Sequence, residues 1–161
     1  MIFYYLDASA WVKCYHQEPG TAWARELLAQ KPLLACASIG VVEVTATLAR
    51  KQKNHAFSRS ALEEKLQDLA GHWESFIQIH LLPEAVEPAQ ISAHTLALRG
   101  ADAVHLASVL ILQQRFADVH DQMIFVASDR ELKAAAQTSG LVVIDPAEQE
   151  AASSPIPGSN H

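Results

Sequence analysis

The sequence has little cysteine and little charge. Of its 161 residues only two are cysteine, Cys14 and Cys36, and neither belongs to a C-x-x-C pair. They are too few for a disulfide framework, and their spacing gives no support to a structural zinc site. Charged residues make up 19% of the chain and hydrophobic residues 50%, which argues against general disorder. This length and composition are typical of one folded domain.

Long apolar runs and glycine-rich phosphate loops are also missing. No stretch approaches the ~20 residues that cross a bilayer, and no charged segment precedes the apolar start MIFYYL, as it would in a secretory signal. We therefore expect a reduced, cytoplasmic protein with no membrane partner. The chain has no G-x-x-x-x-G-K-[ST] or G-x-G-x-x-G segment, which excludes the nucleotide-binding classes that depend on those loops.

Basic residues are outnumbered by acidic ones. The chain has 12 Lys and Arg against 18 Asp and Glu, a formal net charge of −6. An acidic protein cannot bind nucleic acid through a general basic surface. An anionic substrate must therefore meet a local basic patch or a bound cation.

Short apolar segments typical of strands alternate with longer segments typical of helices along most of the chain. The predicted strands are IFYYL (2–6), LLAC (33–36), IQIHL (77–81), MIFVA (123–127) and LVVI (141–144). The alternation predicts an α/β sandwich with a mainly parallel sheet over residues 1–146. Residues 147–161 lose this periodicity and gain Ser, Pro and Gly, so we expect a disordered C-terminal tail.

Several helix starts can be predicted from capping residues. Ser9 is a candidate N-cap, and Ser60 with Glu63 and Ser128 with Glu131 have the spacing of capping boxes. A further helix is predicted from Pro88 to about Leu98, and the next begins at Ala101-Asp102.

Two acidic residues closely follow predicted strands. Asp7 comes directly after the first strand, and Asp129 follows the fourth after one residue, Ser128. Because open parallel sheets bind ligands beyond the carboxyl ends of their strands, both carboxylates are expected at the ligand-binding edge. Aspartate is also a common turn and cap residue, so an ordinary structural role is the alternative.

Two further acids lie in predicted helices. Glu43 is flanked by apolar residues in V-V-E-V, where a half-buried carboxylate must meet a cation, accept hydrogen bonds or become protonated. The alternative is an exposed stripe in which Glu43 pairs with Arg50. Asp102 lies in the first turn of its helix, where it either complements the helix dipole or projects toward the sheet edge.

In order and spacing, D-A-S-A-W, V-V-E-V, G-A-D-A-V-H-L-A and V-A-S-D-R-E-L followed by G-L-V-V-I-D-P resemble the PIN-domain family. Within that family the similarity is to the VapC-type toxin ribonucleases of toxin–antitoxin pairs, and it extends from about Ile2 to Pro146. The resemblance implies a three-layer α/β/α fold with an acidic pocket that holds Mg²⁺ or Mn²⁺ and cleaves RNA phosphodiester bonds. Residues that match the family's acids and supporting hydroxyls are Asp7, Glu43, Asp102, Asp129, Ser9 and Ser128.

Within that resemblance, each acid has an expected role. Because Mg²⁺ keeps several waters and commonly uses one or two carboxylates, we expect Asp7 and Asp102 to contact the ion directly or through water. Glu43 and Asp129 would hold water ligands, orient the nucleophile or complete a second metal site. Ser9 would hydrogen-bond Asp7 or the phosphate, if it does not act as a helix cap.

Other polar residues have two interpretations each. Arg50, Lys51 and Lys53 are candidate RNA-contacting residues, although cations at a helix end also complement the C-terminal dipole. His105, one turn after Asp102, is expected to be a partly buried helix residue with one satisfied ring nitrogen, and facing the site is the alternative.

The resemblance also implies partners. They are an RNA substrate, a cognate antitoxin that covers the site, a second copy of the chain in a homodimer, and DNA only through the antitoxin complex. Two other classes stay open: a catalytically silent binding or regulatory domain, and another Mg²⁺-dependent phosphoryl hydrolase. Phosphatases with an aspartyl nucleophile need D-x-D after the first strand, and this chain has Asp7-Ala8-Ser9.

Overall fold

The computed structural model describes residues 1–81, 83–116 and 121–153, and within these ranges it has five strands, eight α-helices and one 3-10 helix (Val12–Cys14). The strands are β1 (Ile2–Leu6), β2 (Leu33–Ala37), β3 (Ile77–Ile79), β4 (Gln122–Val126) and β5 (Val142–Ile144). The helices are α1 (Ala8–Trp11), α2 (Thr21–Ala29), α3 (Ser38–Lys53), α4 (Arg59–Ser75), α5 (Pro83–Leu96), α6 (Gly100–Arg115), α7 (Arg130–Thr138) and α8 (Pro146–Ser153).

The five strands form one parallel sheet in the order β3-β2-β1-β4-β5. Strand β1 lies at its centre, with Tyr5 paired to Ala35 of β2 and Phe125 of β4. The chain moves outward from β1 to β2 and β3, then crosses to the other side of β1 for β4. The strand order therefore reverses beside β1, and such a switch point places a crevice at the carboxyl ends of the strands.

Helices cover both faces of the sheet and bury a separate apolar core on each. One face of the sheet packs against α6 and α7 around Tyr5, Leu106 and Leu132. The other packs against α1–α4 around Trp11 and Leu48. The prediction of a three-layer α/β/α sandwich is thus confirmed. No helix within the described residues is long and apolar enough to cross a membrane.

Two helix starts differ from the sequence prediction. Helix α5 begins at Pro83, so Pro88 lies inside it instead of opening it. Proline has no N–H, so it is best tolerated in the first turn, and here Pro83 takes that place. Helix α4 is capped by Ser58, whose hydroxyl accepts a hydrogen bond from the Ala61 N–H, and not by Ser60.

The C-terminal segment also differs from the prediction. Residues 147–153, expected to be part of a tail, belong to helix α8. Asp145 accepts a hydrogen bond from the Ala147 N–H at the start of this helix, and Pro146 is buried. Gly20, at φ +94°, permits the close approach, since a Cβ there would lie 2.7 Å from the Ala147 nitrogen. Residues 154–161, the rest of the predicted tail, lie outside the described residues.

Candidate active site

All four acids selected from the sequence line one cavity of about 740 Å³. Asp7 follows β1 and Asp129 follows β4, while Glu43 and Asp102 reach the cavity from α3 and α6. The cavity therefore lies at the carboxyl ends of the central strands, where the strand order reverses. Its wall also includes Ser9, Ser128, Lys13, Arg50, Lys51 and Arg99.

Asp7 is the most deeply placed of the four acids, with only 2% of its surface exposed. Its carboxylate accepts a hydrogen bond from the Ala10 N–H at 3.0 Å and so caps helix α1. Asp7, and not Ser9, is therefore the N-cap of this helix. Burial raises the pKa of Asp7 from 3.8 to about 6, although His105 and the hydrogen bonds from Ser9 and Ala10 act in the opposite direction.

The hydroxyl of Ser9 joins the two loops that carry Asp7 and Asp129. It donates to the Asp7 carboxylate, at 2.8 Å from Oδ2 and 2.9 Å from Oδ1. It accepts the backbone N–H groups of Ser128 at 2.9 Å and Asp129 at 3.2 Å. One donor and two acceptor positions are the full capacity of a hydroxyl. Ser9 thus fixes the orientation of the Asp7 carboxylate and holds the turn after β4 against it.

The side chain of Ser128 points to a different carboxylate. Its hydroxyl donates to Asp145 Oδ1 at 3.0 Å, and Lys133 Nζ lies 2.5 Å from Asp145 Oδ2. Ser128 also does not cap α7. That cap is Asp129, which accepts from the Leu132 N–H at 2.9 Å. Ser128 therefore contributes a backbone N–H to the hydroxyl of Ser9, while its side chain fixes the loop to the end of β5.

Arg99 bridges two of the acids, although it was not among the residues predicted from the sequence. Its Nε lies 3.0 Å from Asp102 Oδ2, and its Nη2 lies 3.0 Å from Asp129 Oδ2. The pKa of Asp102 is raised above its ordinary value because the carboxyl is partly buried, although the hydrogen bond from Arg99 acts in the opposite direction. The i,i+3 spacing of Arg99 and Asp102 at the start of α6 was a local signal for the first contact. The contact between Arg99 and Asp129 joins residues that are 30 positions apart, so no local sequence pattern indicates it.

A chain of hydrogen bonds runs from the sheet to Glu43. The Ala37 N–H donates to the Tyr5 hydroxyl at 3.1 Å, and that hydroxyl lies 2.9 Å from His105 Nδ1. His105 Nε2 lies 2.7 Å from Glu43 Oε2. Because a carboxylate only accepts, Nε2–H donates to Glu43, and in the neutral ring Nδ1 then accepts from the Tyr5 hydroxyl. The carboxylate is thereby held in one orientation.

His105 is more deeply buried and more fully bonded than expected from the sequence. It is 1% exposed, and both ring nitrogens have partners, where partial burial and one satisfied nitrogen were predicted. Gly40 makes room for the ring, because a Cβ at this position would lie 3.1 Å from His105 Cε1 and 2.4 Å from Cys36 Sγ. The alternative pairing of Glu43 with Arg50 is absent from the described contacts, since Arg50 Nη2 donates to Thr47 Oγ1.

The predicted basic residues divide into two groups. Arg50 and Lys51 line the cavity on the face of α3 that also carries Glu43, whereas Lys53 is exposed and outside the cavity wall. Lys13, which was not predicted from the sequence, also lines the cavity and is buried. Its Nζ lies 3.2 Å from Glu18 Oε1, and Lys51 lies 3.7 Å from the other oxygen of that carboxylate. The cavity thus combines carboxylates and cations.

The donor set of the cavity suits a hard divalent cation with a water-rich shell. Its acids are all carboxylates, the ligands that Mg²⁺ and Mn²⁺ prefer. Within the described residues, no three His, Cys, Asp or Glu side chains are grouped closely enough to surround an ion by themselves. Mg²⁺ does not require such a group, because it usually keeps several waters and takes one or two carboxylates. The residues present therefore fit such an ion.

Residues 4–138, which include all four acids, match the PIN domain as a family. The chain belongs to the PIN-domain family. It is 34% identical over 137 residues to Ribonuclease VapC45 of Mycobacterium tuberculosis (strain CDC 1551 / Oshkosh), covering 84% of this chain and 90% of that protein. The similarity to VapC-type ribonucleases noted from the sequence is thus confirmed.

Solved structures resemble this PIN domain in fold. PAE2754 from Pyrobaculum aerophilum aligns with a TM-score of 0.62 at 18% identity, over 94% of this chain and 88% of that one. VapBC2 from Rickettsia felis, bound to a DNA fragment from its promoter, aligns with a TM-score of 0.60 at 15% identity, over 90% of this chain and 98% of the other. A toxin–antitoxin complex from Klebsiella pneumoniae aligns with a TM-score of 0.57 at 18% identity, over 88% of this chain and 96% of the other. At such identities the likeness establishes the fold alone.

Proposed function

We propose that this PIN-domain protein is a metal-dependent endoribonuclease and the toxin of a type II toxin–antitoxin system. The observation that carries the proposal is the placement of Asp7, Glu43, Asp102 and Asp129 around one cavity at the switch point of the sheet. The 34% identity to a protein named Ribonuclease VapC45, over most of both chains, supports RNA as the substrate.

The metal-binding residues in this proposal are Asp7 and Asp102, which hold Mg²⁺ or Mn²⁺ directly or through water. A bound divalent ion lowers the pKa of water and neutralises charge that develops on phosphate oxygens. Asp7 suits this role because it is buried and oriented by Ser9, so a nearby cation compensates the desolvation of its charge. Asp129, on the turn held by Ser9, completes the acidic wall.

Glu43 receives the proton of the attacking water in this proposal. The Glu43 side chain is 30% exposed and lines the cavity. His105 holds its Oε2, which leaves Oε1 for the water. A general base must be within hydrogen-bond reach of the water and fixed in orientation. The buried Tyr5 and His105 pair supplies that fixed orientation.

In this proposal the RNA backbone lies along α3. Arg50 and Lys51 lie two turns beyond Glu43 on the cavity wall, and Lys53 is exposed at the end of the same helix. Cations in these positions attract phosphates on either side of the cleaved bond, and this local patch offsets the overall charge of −6.

Partners follow from the same proposal. We assign the protein a cognate antitoxin that covers the acidic cavity, a second copy of this chain, and operator DNA reached only through the antitoxin. The Klebsiella toxin–antitoxin complex supports the antitoxin assignment, and the promoter DNA bound to VapBC2 supports the DNA assignment. Because both RNA and antitoxin must be available to it, we place the protein in the cytoplasm.

Inducible expression in growing bacterial cells tests this function. We expect the wild-type chain to stop growth and to produce discrete fragments of cellular RNA within minutes of induction. Asp7→Asn should do neither, and Glu84→Gln, a change at an exposed acid on α5 that pairs with Arg115, should act as wild type does. Unimpaired growth and intact RNA with well-expressed wild-type protein would instead favour a silent binding domain.

A further inference from the structure

We propose that Arg99 alternates between two partners: the carboxylates of Asp102 and Asp129 before a divalent ion binds, and an RNA phosphate afterwards. This inference rests on the proposed function and adds to it an RNA-binding residue at the acidic edge of the cavity.

The first position is the one seen in the structure. Arg99 precedes α6, and its guanidinium spans Oδ2 of Asp102 and Oδ2 of Asp129, each at 3.0 Å. The bridge joins the start of α6 to the turn after β4. Two carboxylates that face one cavity repel each other, and a cation between them relieves this repulsion. Arg99 thus acts as the counter-ion of the site.

The second position, on an RNA phosphate, is possible because Arg99 is exposed and has N–H donors that the two acids do not use. Its side chain is 73% exposed, although it lies on the cavity wall. The two contacts to the acids use only Nε and Nη2. Guanidinium carries five N–H donors in a planar fork that matches phosphate oxygens, so a freed Arg99 is suited to hold a phosphate.

Competition couples the two positions. Asp102 is a proposed ion-binding residue, and one of its oxygens is occupied by Arg99 Nε. A divalent ion drawn to the same carboxylates displaces the guanidinium, because two cations compete for one set of oxygens. The displaced side chain remains at the mouth of the cavity, where the phosphate of bound RNA must lie. Ion binding therefore prepares the site to receive the anionic substrate.

The first experiment measures Mg²⁺ affinity by titration calorimetry on the full chain, in wild type, Arg99→Ala and Arg115→Ala. Arg115 is a matched control at the other end of α6, where it forms one exposed ion pair with Glu84. We expect Arg99→Ala to bind Mg²⁺ about twofold to tenfold more tightly than wild type, because a competing cation has been removed. Arg115→Ala should bind Mg²⁺ as wild type does.

The second experiment measures binding of a fluorescent, mixed-sequence single-stranded RNA by anisotropy, with Ca²⁺ replacing Mg²⁺ and gels confirming that the RNA stays intact. With the ion present, Arg99→Ala should bind this RNA more weakly than wild type and Arg115→Ala should not. The salt dependence of the Arg99→Ala affinity should fall by about 0.7 in log–log slope, the value for one lost single-strand phosphate contact.

The two results together decide the inference. Tighter Mg²⁺ binding with weaker RNA binding in Arg99→Ala supports it. Mg²⁺ affinity that is unchanged or reduced, or RNA affinity that is unchanged, overturns it while leaving the proposed function in place. If the wild-type chain binds neither Mg²⁺ nor Mn²⁺, the metal-dependent function itself is overturned, and the role of Arg99 with it.

Discussion

His105 Nε2 lies 2.7 Å from Glu43 Oε2, and this contact joins α6 to α3 between residues that are 62 positions apart in the sequence. The histidine is buried and itself held by Tyr5, whereas the glutamate opens onto the cavity. The orientation of a solvent-facing carboxylate is thus determined from inside the core. A positioning role of this kind makes activity sensitive to a residue that does not line the cavity wall.

Replacing His105 by alanine should reduce RNA cleavage by about 10- to 100-fold, as is typical when a residue that orients a group of a metal site is lost. It should also lower the free energy of unfolding by about 2–4 kcal/mol, because the Tyr5 hydroxyl loses its partner and a cavity is left. Initial rates and urea unfolding measure the two effects.

The control for this change is His72→Ala. His72 also bonds a tyrosine, with Nδ1 at 2.8 Å from the Tyr15 hydroxyl, but it lies on α4 and outside the cavity wall. We expect it to lose stability and to keep its activity at a temperature where it is folded. Equal activity in folded His105→Ala and wild-type protein would refute the positioning role.

Ser9→Ala should destabilise the fold by about 1–3 kcal/mol, since the Asp7 carboxylate and two backbone N–H groups lose their common partner. Cleavage should fall as well, because the Asp7 carboxylate is no longer fixed. Ser75→Ala removes an exposed hydroxyl that bonds the His72 carbonyl, and it should change unfolding by less than about 0.5 kcal/mol. A similar small effect for Ser9→Ala would contradict the bridging role.

Asp7→Asn should abolish activity and remove the pH dependence that the Asp7 carboxyl gives to the stability of the protein. The folded pKa of Asp7, about 6, is above its ordinary value of 3.8, so the folded state binds this proton more tightly. The corresponding stability is complete below about pH 4 and is lost as the pH rises through 6. Asparagine retains an oxygen for the Ala10 N–H and carries no charge to desolvate.

Unfolding in urea at about pH 4 and about pH 7.5 measures this effect. From the lower to the higher pH, the stability of Asp7→Asn relative to wild type should increase by about 2–3 kcal/mol. If the stability of Asp7→Asn relative to wild type stays constant or falls over this pH range, burial does not raise the pKa of Asp7.

Two helical glycines make a matched pair. Gly40→Ala should destabilise the fold by about 1–3 kcal/mol, because its Cβ would lie 2.4 Å from Cys36 Sγ and 3.1 Å from the His105 ring. Gly71→Ala, with no atom within 4 Å of the new methyl group, should stabilise α4 by about 0.5–1 kcal/mol. Thermal melts of both variants give the comparison, and effects of the same sign would argue against tight packing at Gly40.

Much of the fold could be predicted from the sequence because its signals are local. Runs such as IFYYL and MIFVA are apolar on both faces, as buried parallel strands must be, and each ends near an acidic residue. Parallel strands then bring Asp7 and Asp129 to the same edge of the sheet. The apolar surroundings of Glu43 and the first-turn position of Asp102 made these two acids candidates, the family resemblance grouped them with Asp7 and Asp129, and all four residues line one cavity.

The remaining features depend on contacts between distant segments. The start of helix α8 packs closely against Gly20, and the second contact of Arg99 reaches a residue on another loop. His105 has the pattern of an ordinary helix residue, and only the fold brings Tyr5 and Glu43 to its two nitrogens. Ser9 resembled an N-cap because the sequence does not indicate that its hydroxyl is occupied by Ser128 and Asp129.

The proposed function is RNA cleavage at the acidic cavity with a divalent ion, and the initial rate of cleavage by purified protein tests it. The rates are compared with Mg²⁺ and with EDTA, for wild type, Asp7→Asn, Asp102→Asn and the control Glu84→Gln. We predict fragments only with Mg²⁺, at similar rates for wild type and Glu84→Gln and at least about 100-fold slower for both aspartate variants. Cleavage that survives EDTA or both aspartate changes, or wild-type protein that is inactive with both Mg²⁺ and Mn²⁺, would contradict it.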